Sequence, residues 1–285
     1  NITGKAGQSP AIAGSNNRAL NIHNVELTGA PAIDFDYSSG TLSDITLHGE
    51  GIGTGLISHH GRFSNNIALS YIKITGYNVG IDLHADDVTA VSRMSIEDSI
   101  IDCSTAISVE NYPLSISQTS ILGVVEFSGA TTLQVYDSVF EIKQNISLWD
   151  EAIVELFETV TFVSQFDNTV KPGNYSVVSH YSDDSTITSL TSGQSPSISI
   201  LTFTADASGS QKSLVSIIVE AASIGHPIQT LEVNTLEELS PTISFELSTN
   251  NPPQFTIISP NSTSIIMQQT EFSSITSATD DLDIS

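Results

Sequence analysis

Apolar and polar positions alternate along the first half of the chain in two short phrases that keep returning. The first phrase is Leu20-Asn21-Ile22, Leu42-Ser43-Asp44-Ile45, Leu69-Ser70-Tyr71-Ile72, Met94-Ser95-Ile96, Leu114-Ser115-Ile116 and Leu133-Gln134-Val135. The second is Ala32-Ile33-Asp34-Phe35, Gly55-Leu56-Ile57-Ser58, Gly80-Ile81-Asp82-Leu83, Ala106-Ile107-Ser108-Val109, Val124-Val125-Glu126-Phe127 and Asn145-Ile146-Ser147-Leu148. Alternation with period two is the mark of a strand that buries one face. The first phrase opens at positions 20, 42, 69, 94, 114 and 133, so consecutive openings differ by 22, 27, 25, 20 and 19 residues. Such a loose period is absorbed by loops between repeated units.

Between the phrases stand glycine turns, Leu27-Thr28-Gly29, Leu47-His48-Gly49, Ile74-Thr75-Gly76 and Leu122-Gly123, where a backbone with positive φ costs least. No stretch is long enough for a crossover helix, so equivalent strands must stack in parallel from unit to unit. The phrases predict an inward aliphatic column of Ile33, Leu56, Ile81, Ile107, Val125 and Ile146, and an outward column with Asp34, Asp82 and Glu126. On these residues, 1–163 resembles the right-handed parallel β-helix, the pectate-lyase-like solenoid of polysaccharide lyases, polygalacturonases, phage tailspikes and surface adhesins. The resemblance implies an all-β fold and leaves activity open, because that fold carries enzymes and inert stalks alike.

Ile2-Thr3-Gly4 followed by Ala11-Ile12 matches Leu27-Thr28-Gly29 followed by Ala32-Ile33. The chain therefore opens inside a repeat, and exposed rungs need cover. This predicts a segment of a longer polypeptide, with a head-to-tail contact between like subunits, propagating as a filament, as the alternative cover.

Past residue 163 the texture changes. Tyr175-Ser176-Val177-Val178, Ser197 to Phe203, Leu214 to Val219, Thr230 to Val233 and Thr242 to Leu247 are alternating strands separated by polar turns, the pattern of an antiparallel Ig-like β-sandwich over 164–249. Asn250-Asn251-Pro252-Pro253 then forms a stiff linker into a strand at Gln254. With the later Ala278-Thr279-Asp280-Asp281-Leu282-Asp283, residues 250–285 resemble the beginning of a further Ig-like module of the cadherin or PKD kind. Asp280, Asp281 and Asp283 supply hard oxygen ligands suited to Ca²⁺, or else a solvated acidic turn.

Eight Lys plus Arg stand against 32 Asp plus Glu, a net charge of −24. Phosphate contacts need cations, so this balance argues against nucleic acid and against an anionic membrane surface. No apolar run is long enough for a membrane span. The single cysteine, Cys103, has no partner for an intramolecular disulfide and stands among Ile100, Ile101 and Ile107 as a small buried residue. Four N-x-S/T sequons begin at Asn1, Asn145, Asn174 and Asn261; in an extracellular chain each is a glycan acceptor, and turn residues surround Asn174 and Asn261.

The sharpest cluster of chemistry-bearing residues is His59, His60, Arg62, Asp82, His84, Asp86 and Asp87. Ser58-His59-His60 and Leu83-His84-Ala85 occupy one place on successive units, and neighbouring strands lie about 4.8 Å apart. The grouping suits a metal or an acid–base pair, and equally a solvated polar ladder at a turn. Polygalacturonase-like sites need clustered aspartates with Gly-His-Gly and Arg-x-Lys, of which only Asp86-Asp87 has a counterpart; a lyase-like site needs a basic residue, and Arg62 and Arg93 alone are near. The expectation is a non-catalytic structural or adhesive segment of an extracellular or cell-surface protein. It requires no cofactor beyond possible Ca²⁺ and meets other surface proteins, like subunits or glycans. A carbohydrate-active enzyme, with His59, His60, His84, Asp86 and Asp87 as its site, is the alternative.

Overall fold

The structure is a computed structural model that describes residues 2–3, 10–17, 19–60, 66–86, 93–139, 146–234, 242–249, 254–257 and 276–279. It is all-β, with mostly parallel strand pairing and no helix among the described residues. The chain divides into two compact units, residues 1–159 with 199–214, and 160–198 with 215–285.

In the repeats of the first unit the described strands pair in parallel with their equivalents in the next repeat, forming three ladders. One runs through Ile22, Leu42, Leu69, Ile96, Ile116, Val135 and Leu156. A second runs through Leu27, Leu47, Ile74, Ile101 and Ile121. The third joins Ile12, Ile33, Leu56, Ile81, Ile107, Val125 and Ile146. The expected aliphatic column is this third ladder: Ile33, Leu56, Ile81, Ile107 and Val125 are buried, and Ile146 is half-buried. Asp34, Asp82 and Glu126 share the neighbouring outward column. Each buried aliphatic side chain contributes about 1.5–3 kcal/mol.

The N-terminal match also holds in register, with Ile2 opposite Leu27 and Ile12 opposite Ile33. The first phrase is aligned differently from the expectation. Leu20 pairs with Gly40 rather than Leu42, and Met94 with Ile67 rather than Leu69. A shift of two residues keeps every side chain on its own face, so alternation alone does not distinguish the two alignments.

The small residue that opens the second phrase has a steric cause. A Cβ on Gly55 would stand 2.8 Å from the Gly80 carbonyl oxygen, and one on Gly80 2.6 Å from that of Ala106.

Between the first and second ladders the chain turns through a residue with positive φ in every repeat: Asn24, Asp44, Tyr71, Asp98, Gln118 and Asp137. Asn and Asp tolerate this conformation better than other non-glycine residues. The next position is apolar in Val25, Ile45 and Ile72, and becomes a hydroxyl in Ser99, Thr119 and Ser138. Each hydroxyl donates to the carbonyl two residues earlier, Ser99 to Glu97 at 2.7 Å, Thr119 to Ser117 at 2.8 Å and Ser138 to Tyr136 at 2.7 Å. Each also accepts a backbone N–H from the preceding repeat, Ile72 to Ser99, Ser99 to Thr119 and Thr119 to Ser138. The corner thereby satisfies its buried amides without a sheet partner.

Strand Ile153–Phe166 contains both the expected boundary at 163/164 and the end of the first unit. Residues 199–214 belong with the first unit because the hairpin that pairs Phe203 with Ser213 and Ala205 with Gln211 sets Ala205 into its core and Phe203 against it. Thr202 Oγ1 donates to Leu156 O at 3.2 Å and Ala207 N to Ala152 O at 3.1 Å. The hairpin covers the last repeat, where an open rung would leave main-chain groups unpaired.

In the second unit Gly173–Tyr181 pairs antiparallel with Thr186–Gly193 and also pairs with Gln211–Ala222, which pairs antiparallel with Gln229–Val233. Thr161–Gln165 runs parallel to Thr242–Glu246. Tyr175 joins the two sets, its ring 5.3 Å from Phe162 and 6.1 Å from Phe245, and its hydroxyl donates to buried Ser164 at 2.9 Å. Strand Thr186–Gly193 escapes the sequence pattern because its alternation is carried by Ser and Thr and largely exposed. Gln254–Ile257 is a strand as expected, paired antiparallel with Thr276–Thr279.

Candidate functional site

Parallel register places Asp36, His59, His84 and Glu110 in one outward column at the end of the third ladder. The rings of His59 and His84 lie 5.9 Å apart and tilted by 59°. His84 Nδ1 is 2.9 Å from Glu110 Oε2, and its Nε2 is 3.6 Å from Asp86 Oδ1. The other oxygen of Asp86 accepts a hydrogen bond from the Tyr37 hydroxyl at 3.2 Å. Repulsion from the Asp86 carboxylate, helped by that hydrogen bond, pushes the Tyr37 phenol above its ordinary value.

The result is a connected chain, Tyr37 to Asp86 to His84 to Glu110. A protonated His84 directs both ring N–H groups at carboxylates, a charge-assisted arrangement that bridges adjacent repeats. A neutral His84 has one donor and one acceptor nitrogen, and the acceptor then faces a carboxylate.

Of the sequence-derived residues, His59, His84 and Asp86 are brought together. Asp82 lies two positions before His84 on the same strand, in the outward column of Asp34. His60 pairs through its backbone with Ala85, while its side chain, Arg62 and Asp87 lie outside the described residues. Arg93 is exposed on the first ladder, opposite Asn66. Tyr37 and Glu110 were not singled out from sequence, although Ala106-Ile107-Ser108-Val109-Glu110 aligns with Gly80-Ile81-Asp82-Leu83-His84 and so carried the signal for Glu110. Among the described residues no group of three or more His, Cys, Asp or Glu is arranged to hold a metal ion.

Asp280, Asp281 and Asp283, and the sequons at Asn1, Asn145 and Asn261, lie outside the described residues. Asn174 is exposed, in strand Gly173–Tyr181 rather than in a turn, opposite Ser192. Cys103 is buried as expected; burial raises its thiol, and Sγ faces the Ile74 carbonyl at 3.9 Å. Tyr77 is buried too, with its phenol pushed up to about 12 by desolvation. Compared with family models, curated proteins and solved structures, the chain matches none of them, so a functional reading rests on the geometry around His84.

Proposed function

We propose that the chain is a non-catalytic structural or adhesive segment of an extracellular surface protein. In this reading residues 1–159 form a right-handed parallel β-helix that serves as a stiff rod, and the second unit is an Ig-like β-sandwich that serves as a spacer. The observation that carries it is the use of His84: both ring nitrogens face carboxylates, one of them on the next repeat, so the most chemistry-rich cluster acts as a clamp along the stack. Continuous aliphatic columns and the hydroxyl column at the corner support the same stiffness. Surface proteins, like subunits and glycans are the partners that fit, and a net charge of −24 keeps such segments hydrated and apart. Calcium at Asp280, Asp281 and Asp283 belongs to this proposal, and is tested by calcium titration of the chain and of its Asp281→Asn variant.

A carbohydrate-active enzyme is the second reading, favoured by the carboxylates on either side of the His84 ring, which resemble an acid–base pair. One experiment separates the two. The chain is incubated with pectate, alginate and neutral glycans while unsaturated ends and reducing sugar are assayed. The structural reading expects neither product; turnover that His84→Ala abolishes would replace it with the enzyme.

A further inference from the structure

The geometry points to Asn174 as an N-glycosylation site whose first sugars lie in a groove beside it on the outer face of the second unit. Along Gly173–Tyr181 the residues Gly173, Tyr175, Val177 and Tyr181 are buried, so Asn174 and Ser176 face outward. Register sets Ser192 opposite Asn174 and Leu190 opposite Ser176. With Glu220 and Ile228 these residues line a groove of about 400 Å³. Its apolar walls are open to water in the free chain: Leu190 is 77% exposed and Ile228 57%. Leu190 lies on the outer face of strand Thr186–Gly193 and Ile228 just before strand Gln229–Val233, so the two border the groove from different elements.

The occupant follows from the attachment point. Asn174-Tyr175-Ser176 is an acceptor sequence, and exposed Asn174 is itself one of the residues that line the groove. A sugar ring presents C–H faces that suit Leu190 and Ile228, while its hydroxyl and acetamido groups suit Ser176, Ser192 and the Glu220 carboxylate. In the transfer step Asn174 Nδ2 bonds to the anomeric carbon of an oligosaccharide carried on a polyprenyl diphosphate. The anomeric C–O bond breaks, the lipid diphosphate leaves, and the amide gives up one N–H proton. This site rests on the extracellular reading and is independent of whether the His84 cluster turns anything over.

The test uses the full chain secreted from an N-glycosylating eukaryotic host. Peptide mass spectrometry after enzymatic glycan release, which converts a modified Asn to Asp, should place the change at Asn174; Asn174→Gln and, as an independent variant, Ser176→Ala should each abolish it. Native removal of the glycan should raise the fluorescence of a dye that binds apolar surface severalfold, and Leu190→Ser with Ile228→Ser should suppress that rise. An unmodified Asn174 in the folded, secreted chain overturns the site, and a modified Asn174 whose glycan leaves dye binding unchanged on removal overturns the groove. The polysaccharide assay of the same sample reports separately on the non-catalytic reading.

Discussion

His84 Nδ1 lies 2.9 Å from Glu110 Oε2, and the two residues are direct partners on adjacent parallel strands. The pair therefore reports on whether neighbouring repeats are in register, although both side chains remain partly exposed. Exposed pairs of this kind contribute about 0.2–1 kcal/mol. A double-mutant cycle of His84→Gln and Glu110→Gln in urea should give a coupling within that range. A coupling unchanged at high salt would show that the contact is not electrostatic.

Ile81 and Asp82 are adjacent, with opposite surroundings. Ile81 is fully buried in the third ladder, and Asp82 faces outward between Ile57 and Ser108. Ile81→Asp should cost several kcal/mol and unfold the first unit, because an unpaired carboxylate enters an aliphatic column. Asp82→Ser should stay within about 0.5 kcal/mol of the parent. Thermal unfolding followed by circular dichroism separates the two, and equal melting temperatures would refute the register.

Ser99→Ala leaves the Ile72 amide without its acceptor, and Thr119→Val does the same to the Ser99 amide. Each should cost about 1–3 kcal/mol, the penalty for a buried unsatisfied donor. Because the sites are consecutive links, the double variant should depart from additivity. Urea midpoints of the four proteins provide the measurement.

Asp206 Oδ1 accepts from the Ser208 hydroxyl and from the backbone N–H groups of Ser208 and Ser210, and the hydroxyl bond leads in holding its carboxyl below the usual range. A folded value below the unfolded one means that its stabilisation is present above the unfolded carboxylate value and is lost as pH falls through the lowered folded value. The protection of the amides in the 206–210 turn, taken relative to their intrinsic exchange rate at each pH, should therefore fall at strongly acidic pH. Asp206→Asn should show the lower protection already at neutral pH and lose little more on acidification.

The sequence carried the burial of almost every strand in the first unit, because alternation is local and each inward position, such as Ile33 or Ile107, declares itself through its immediate neighbours. It also carried the coincidence of His59 and His84, since both follow the same phrase. Glu110 was legible by the same alignment. The run Asp98-Ser99, Gln118-Thr119 and Asp137-Ser138 likewise spelled out the corner, but its apolar equivalents Val25, Ile45 and Ile72 hid the column.

Other features were settled only by pairing over distance. The two-residue shift of Leu20 and Met94 leaves every face unchanged, so alternation has nothing to choose with; parallel pairing along the whole strand makes the choice. Tyr37 reaches Asp86 across 49 residues of chain, a separation over which local alternation says nothing. Residues 199–214 look locally like any antiparallel hairpin, and their place on the last repeat depends on Phe203 and Ala205 meeting a core that ends there. Local sequence fixes which face of a strand avoids water, whereas the identity of its neighbour is a contest between distant segments for the same hydrogen bonds and the same buried surface, decided only in the folded chain.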